Sequence, residues 1–232
     1  MENKILEKHY TNRSGWLRAA VLGANDGILS TTSIAIGVAA ATQERNTIVL
    51  AALAGLVSGA LAMAAGEFVS VSSQSDIEKA DLLREEKELN EMPEVELKEL
   101  AKIYERRGVS KQTALLVATE LTNHNALEAH AKDELGINEI TQAKPLQAAV
   151  ASLASFTFGA LLPLLVSLFA PLKQMVYYQY ILSIVFLMLL GALAAKTGGA
   201  KPGVAVLRIC LWGTIAMACT ALVGHLFGVN NF

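Results

Sequence analysis

The chain has 232 residues, 53 % of them hydrophobic but only 6 % aromatic, and a formal net charge of -2. Alanine, leucine, valine and glycine dominate the apolar share, which is not the composition of an ordinary soluble core. The charge is segregated: 16 of the 21 acidic and 10 of the 19 basic residues lie between Gln74 and Pro145, and with no basic excess or aromatic interleaving no nucleic-acid partner is expected.

The opening residues, MENKILEKHYTNRSG, are polar and lack the apolar core and small-residue cleavage site of a signal peptide. The first apolar run, Trp16 to Thr42, is therefore expected to stay in the mature protein. It exceeds the roughly 20 residues a helix needs to cross a hydrocarbon core of about 30 Å. Asp26 lies inside it, where an ionised carboxylate costs about 2.5 to 3.5 kcal/mol on insertion scales. Ser30 and Ser33 follow at helical spacing, so a polar stripe passes through the carboxylate. The alternative for Asp26 is a structural carboxylate that caps a backbone group.

A second span runs from Thr47 to Ser73. Gly55 and Gly59 form a small-xxx-small pair that lets another helix approach closely, and Met63 and Glu67 continue that face. Ser70 extends the stripe beyond Glu67. Two such stripes facing each other would line a polar path offering carboxylate oxygens and a thioether to a cation. A plain packing seam, with Glu67 hydrated from the nearer membrane surface, is the competing reading.

Between Gln74 and Pro145 the pattern becomes charged helix. The second span continues as SQSDIEKADLLREEKELNEM until Pro93 interrupts it. PEVELKELAKIYERRG starts with proline in the first turn and ends at Gly108, and a third helix starts at a possible cap, Ser110, and ends at Gly136. Glu85 with Glu88, and Glu96 with Glu99, are pairs at three-residue spacing that can present two carboxylates to one ion. His130 with Glu134, and His124 with Glu128, repeat the geometry with an imidazole. Such oxygen-rich sites suit Mn²⁺, Fe²⁺ and related divalent ions better than Cu(I). The competing reading is a solvated face of i,i+4 ion pairs.

Three further spans follow, Leu146 to Ala170, Val176 to Ala195 and Val204 to Phe227. Cys210 and Cys219 lie nine apart in the last, on opposite faces of a helix, and cannot bridge. The expected fold is all-α and polytopic: an N-terminal segment with two transmembrane helices (1–73), a three-helix insert (74–145) and three more transmembrane helices (146–232). Basic residues are retained in the cytoplasm. An inside amino terminus places 17 of 19 there, leaving only Arg45 and Lys173 outside. The insert is then cytoplasmic and the carboxyl terminus external.

The stretches RSGWLRAAVLGANDGILST and SGALAMAAGEFVSVSSQSDIEKADL closely resemble the vacuolar iron transporter (CCC1-like) family, and the resemblance, to a bacterial-type member, covers essentially the whole chain. It implies a homodimer in the plasma or inner membrane, with a path between the subunits that exports Fe²⁺ and related ions such as Mn²⁺, Co²⁺ and Zn²⁺ in exchange for protons. On that resemblance Asp26 and Met63 match the intramembrane path. Glu85, Glu88, Glu96 and Glu99, counted from Pro93, match cytoplasmic metal ligands, and Glu134 matches another. Two departures stand out. Plant-type members carry adjacent methionines where this chain has His130 and Ala131, so imidazole takes one ligand position. Their second-span glutamate is Gly55 here, whereas Glu67 sits in the GEF context of other branches.

A proton-coupled transporter of divalent metal is thus the leading expectation, and the alternative is a membrane-anchored metal-storage or sensor protein. A plain anchor has no reason to retain Asp26. An enzymatic ferroxidase would need Glu-x-x-His pairs inside a bundle, and none occurs.

Overall fold

A computed structural model describes residues 14–137, 143–197 and 201–228, with side chains from Ala20 onward. The polar segment through Arg13 and the side chain of Arg18, both used to assign orientation, lie outside the described residues. The elements are α1 (Ser14–Ala41), α2 (Arg45–Glu91), α3 (Pro93–Arg106), α4 (Lys111–Asp133), α5 (Pro145–Phe169), a single 3-10 turn (Leu172–Gln174), α6 (Met175–Thr197) and α7 (Pro202–Leu226). Five of these helices, α1, α2, α5, α6 and α7, are long and apolar enough to cross a membrane. The chain forms two compact units, Met1–Phe68 with Leu146–Phe232, and Val69–Pro145.

In the first unit α1 is the most enclosed span, packed against α6 and α7. Lipid tails are as apolar as the helices, so association relies on close backbone approach rather than on water exclusion. Glycine supplies that approach: a Cβ at Gly27 would strike the Phe156 carbonyl of α5, one at Gly159 the Ala24 carbonyl, and one at Gly224 of α7 the Gly37 carbonyl. The Gly55 and Gly59 pair differs from expectation. It faces side chains, the Ile34 methyl and the Phe156 ring, rather than a neighbouring backbone.

Several polar groups inside the unit find partners, as an apolar solvent favours, although Asn25 Oδ1, Thr31 Oγ1 and Gln179 Oε1 are buried without a hydrogen bond. Thr32 of α1 bonds Ser183 of α6 at 2.7 Å. Gln179 donates to the Pro163 carbonyl (2.9 Å) and to Ser167 Oγ (2.8 Å). Arg45 closes the end of α5: its guanidinium donates to the carbonyls of Ser167, Leu168 and Ala170 at 2.9, 2.6 and 2.6 Å. These are C-terminal carbonyls without intrahelical partners, which accounts for a cation that the charge distribution leaves as an exception.

The second unit begins with the charged half of α2, which runs without a break from its apolar half to Glu91. Pro93 opens α3 at the position where its missing N–H costs nothing, and Glu94 and Glu96 occupy the positive end of that helix. Gly108 (φ 96°) and Gly136 (φ 70°) follow the ends of α3 and α4 in left-handed conformations that favour glycine. The core is small: Leu100 and Ala101 of α3 meet Ala118 and Ala129 of α4.

The third helix of the insert is not one straight rod. Asn125 adopts extended backbone (φ −164°, ψ 96°) and divides α4 in two. Its Oδ1 accepts the Glu128 N–H at 3.1 Å and its Nδ2 donates to the Glu128 carboxylate at 3.1 Å. Asn125 is thus the N-cap of a new helix that starts at Ala126, with a further side-chain bond to Glu128. His124 and Glu128 therefore do not share a turn, which corrects the expected pairing, while His130 and Glu134 lie together beyond the break.

Candidate metal centre and intramembrane pocket

Within the second unit, four ligating side chains converge. Glu85 comes from α2, Glu96 from the first turn of α3, His130 from the last turn of α4 and Glu134 from its C-terminal cap. One ligand atom of each lies within 4.8 Å of all the others. Ligands on opposite sides of an ion with bonds of about 2.0 to 2.4 Å stand about 4 to 4.8 Å apart, so the set is cation-sized.

His130 is wholly buried, with Nδ1 2.8 Å from Glu85 Oε1, 3.0 Å from Glu134 Oε2 and 4.0 Å from Glu96 Oε2. One nitrogen carries at most one proton, which serves one oxygen. Glu85 Oε1 is buried and left without a hydrogen bond, as is His130 Nε2. A buried polar atom without a partner costs about 1 to 3 kcal/mol. Burial raises the Glu85 carboxyl above 4.5, the Glu134 charge adds to this, and His130 opposes it. Glu96 is raised first by burial and next by Glu99, again against His130. Three carboxylates around one imidazole are under-compensated, a charge deficit that a divalent cation could make up.

The three-residue pairs split between inside and outside. Glu85 is 1 % and Glu96 5 % exposed. Glu88 instead faces Arg84 at 3.7 Å and Glu99 is exposed, so these two stand around the cluster without joining it. Sequence reasoning missed the clamp beside the cluster: Tyr104 donates to Asp133 Oδ2 (2.6 Å) and Arg107 to Oδ1 (2.8 Å). Burial would raise the Asp133 carboxyl, but those two hydrogen bonds outweigh it and the group is held below 3.8. A tyrosine and an arginine near the end of α3, with an aspartate ending α4, were the available signal.

Within the first unit, a pocket of about 270 Å³ is lined by Asp26 and Ser30 of α1, Ser58, Gly59 and Met63 of α2, and Phe156 of α5, among others. Asp26 is exposed, and Ser30 Oγ donates to its backbone carbonyl at 2.6 Å rather than to the carboxylate. Ser33 is buried and Glu67 lies one turn past Met63; neither lines the pocket.

A sequence profile of the VIT family matches residues 17–225. The "Vacuolar iron transporter" of Acanthamoeba castellanii is 44 % identical over 229 residues, covering 97 % of this chain and 84 % of that protein. "Vacuolar iron transporter homolog 2" of Arabidopsis thaliana is 34 % identical, covering 95 % and 88 %. "VIT-like transporter 1b" of Glycine max is 33 % identical, covering 95 % and 80 %.

Proposed function

The chain belongs to the VIT family, and from that premise we propose that it is a multi-pass membrane transporter, not an enzyme, that exports Fe²⁺ and related divalent ions such as Mn²⁺ and Co²⁺ in exchange for protons. The observation that carries this is the pocket: a carboxylate, Asp26, and a thioether, Met63, converge in an apolar unit where neither an anchor nor a packing seam needs them.

The metal is cargo. Glu85, Glu96, His130 and Glu134 gather it on the cytoplasmic side, with Zn²⁺ a further ion that the oxygen and imidazole set accepts. Glu88 and Glu99 form an outer acidic ring that draws cations toward these ligands. Asp26 and Met63 receive the ion in the membrane, and Glu67 is the next carboxylate along the same face of α2. A carboxylate cannot hold a proton and bind a divalent cation well at once, so protonation from the outer side releases the ion. Asp26 is exposed on a single protomer, and leaving a charge at that depth to lipid costs about 2.5 to 3.5 kcal/mol. A second copy of the chain covering the pocket accounts for both and makes the path a homodimer interface.

The buried cluster alone would also suit a membrane-anchored storage or sensor protein. Flux in proteoliposomes with an imposed pH gradient separates the two. The wild type moves Fe²⁺, Mn²⁺ or Co²⁺ and Asp26→Asn reduces that flux by roughly tenfold or more. An Asp26→Asn protein that transports normally would overturn the scheme.

A further inference from the structure

We propose that the Phe156 ring, seated in the space left by the missing Cβ of Gly59, sets the width of the Asp26–Met63 pocket and so governs access to its ligating groups. The pocket's use as a metal path rests on the function proposed above; the assignment of what fixes its width does not.

Phe156 is held between two helices. Its backbone carbonyl lies where a Cβ of Gly27 on α1 would have to go, and the Ala160 nitrogen stands 2.9 Å from that same position. On the other side its ring fills the surface of α2 at Gly59, where an added Cβ would sit 2.6 Å from Cε1 and 3.0 Å from Cε2, and closer still to Cζ. The ring is 1 % exposed and packs with Leu56, Ala60 and Ala160, with Met63 against the same cluster. A ring pressed by a new methyl at position 59 has close-packed neighbours on its other sides, and the empty volume next to it is the 270 Å³ pocket. Adding bulk at Gly59 therefore drives the ring into the pocket, and trimming Phe156 enlarges the pocket from behind. The two positions act as one adjustable wall, so their effects cancel when combined.

The test uses the full chain in lipid nanodiscs with Cys210→Ala and Cys219→Ala, and Met63→Cys as a reporter whose modification by a small methanethiosulfonate reagent is timed. Gly59→Ala slows modification about tenfold or more, Phe156→Leu alone speeds it about threefold, and the double variant returns to within about threefold of the parent. Modification of Gly59→Ala at the parent rate, or a double variant as slow as Gly59→Ala, overturns the assignment. If Gly59→Ala does not fold, Phe156→Leu decides: an unchanged or slower rate overturns it. Mn²⁺ flux through the same variants with Met63 intact follows the same order. A parent that carries no Mn²⁺, with labelling in the expected order, removes the transport reading and leaves the pocket wall standing.

Discussion

His130 differs most in kind from the carboxylates around it, and its Nδ1 is the atom that the other three residues surround. In the proposed site removing it takes away one of four ligands, so His130→Ala is expected to weaken Mn²⁺ binding to the full chain by at least about tenfold. Titration calorimetry showing wild-type affinity would remove His130 from the ligand set. The pH dependence follows from Glu85 and Glu96, whose carboxyls lie above 4.5 because burial and neighbouring carboxylates disfavour their charges. A group raised in the folded state contributes stability that is complete below its unfolded value and lost as pH rises through the folded one. The metal-free insert is therefore less stable at neutral pH than near 5, and Mn²⁺, which needs both carboxylates ionised, reverses that order by binding more tightly at about pH 7.5 than at about pH 5. Asp133 acts in the opposite sense, but its held-down carboxyl titrates below 3.8, outside this window. Thermal unfolding with and without Mn²⁺ at the two pH values checks it; a metal effect that does not grow with pH would count against the cluster.

At the level of elements, the break in α4 does the positioning. Asn125 starts the short helix that carries both His130 and Glu134, and its N-cap bonds to Glu128 lie in the sequence NALE. The alanine-rich periodicity on both sides hides it, because helical spacing alone cannot reveal a helix that stops and restarts. Asn125→Ala removes the cap, with an expected loss of about 1 kcal/mol in insert stability. Since the ligands ride on the released segment, Mn²⁺ affinity falls as well. Unchanged affinity in a destabilised insert would mean that the Tyr104–Asp133–Arg107 clamp orients the ligands by itself. Except for the second, whose helix runs on to Glu91, the ends of the membrane helices were legible to within a few residues, because apolar runs of this length leave helix as the main solution in lipid. The role of Arg45 at the end of α5 was not, since its carbonyl partners are more than 120 residues away in sequence.

At the scale of the whole molecule, the spans are held by backbone contacts that glycine alone permits. Gly224→Ala brings a methyl onto the Gly37 carbonyl, where neither backbone can yield. Overpacking of this kind costs about 1 to 3 kcal/mol, and the apparent melting midpoint in detergent should fall by several degrees. Gly203→Ala, with nothing within 4 Å of the new Cβ, should leave it unchanged. Equal midpoints for the two would show that the α1–α7 crossing does not limit stability.

The sequence by itself determined the helical architecture, the five spans and the residue types available to a cation. Those properties follow from local composition and periodicity, which act along the chain. Only the tertiary structure decided which acids come together: Glu85 and Glu96 turned inward while Glu88 and Glu99 stayed outside, and Asp26 and Met63 shared a pocket without Glu67. Convergence depends on how separate helices rotate about their own axes and how closely they pack. In the insert the alanines facing Leu100, with the restart at Asn125, settle that rotation; in the membrane unit it is Gly27, Gly59 and Gly159. Each acts through a neighbour distant in sequence, so no local pattern records it.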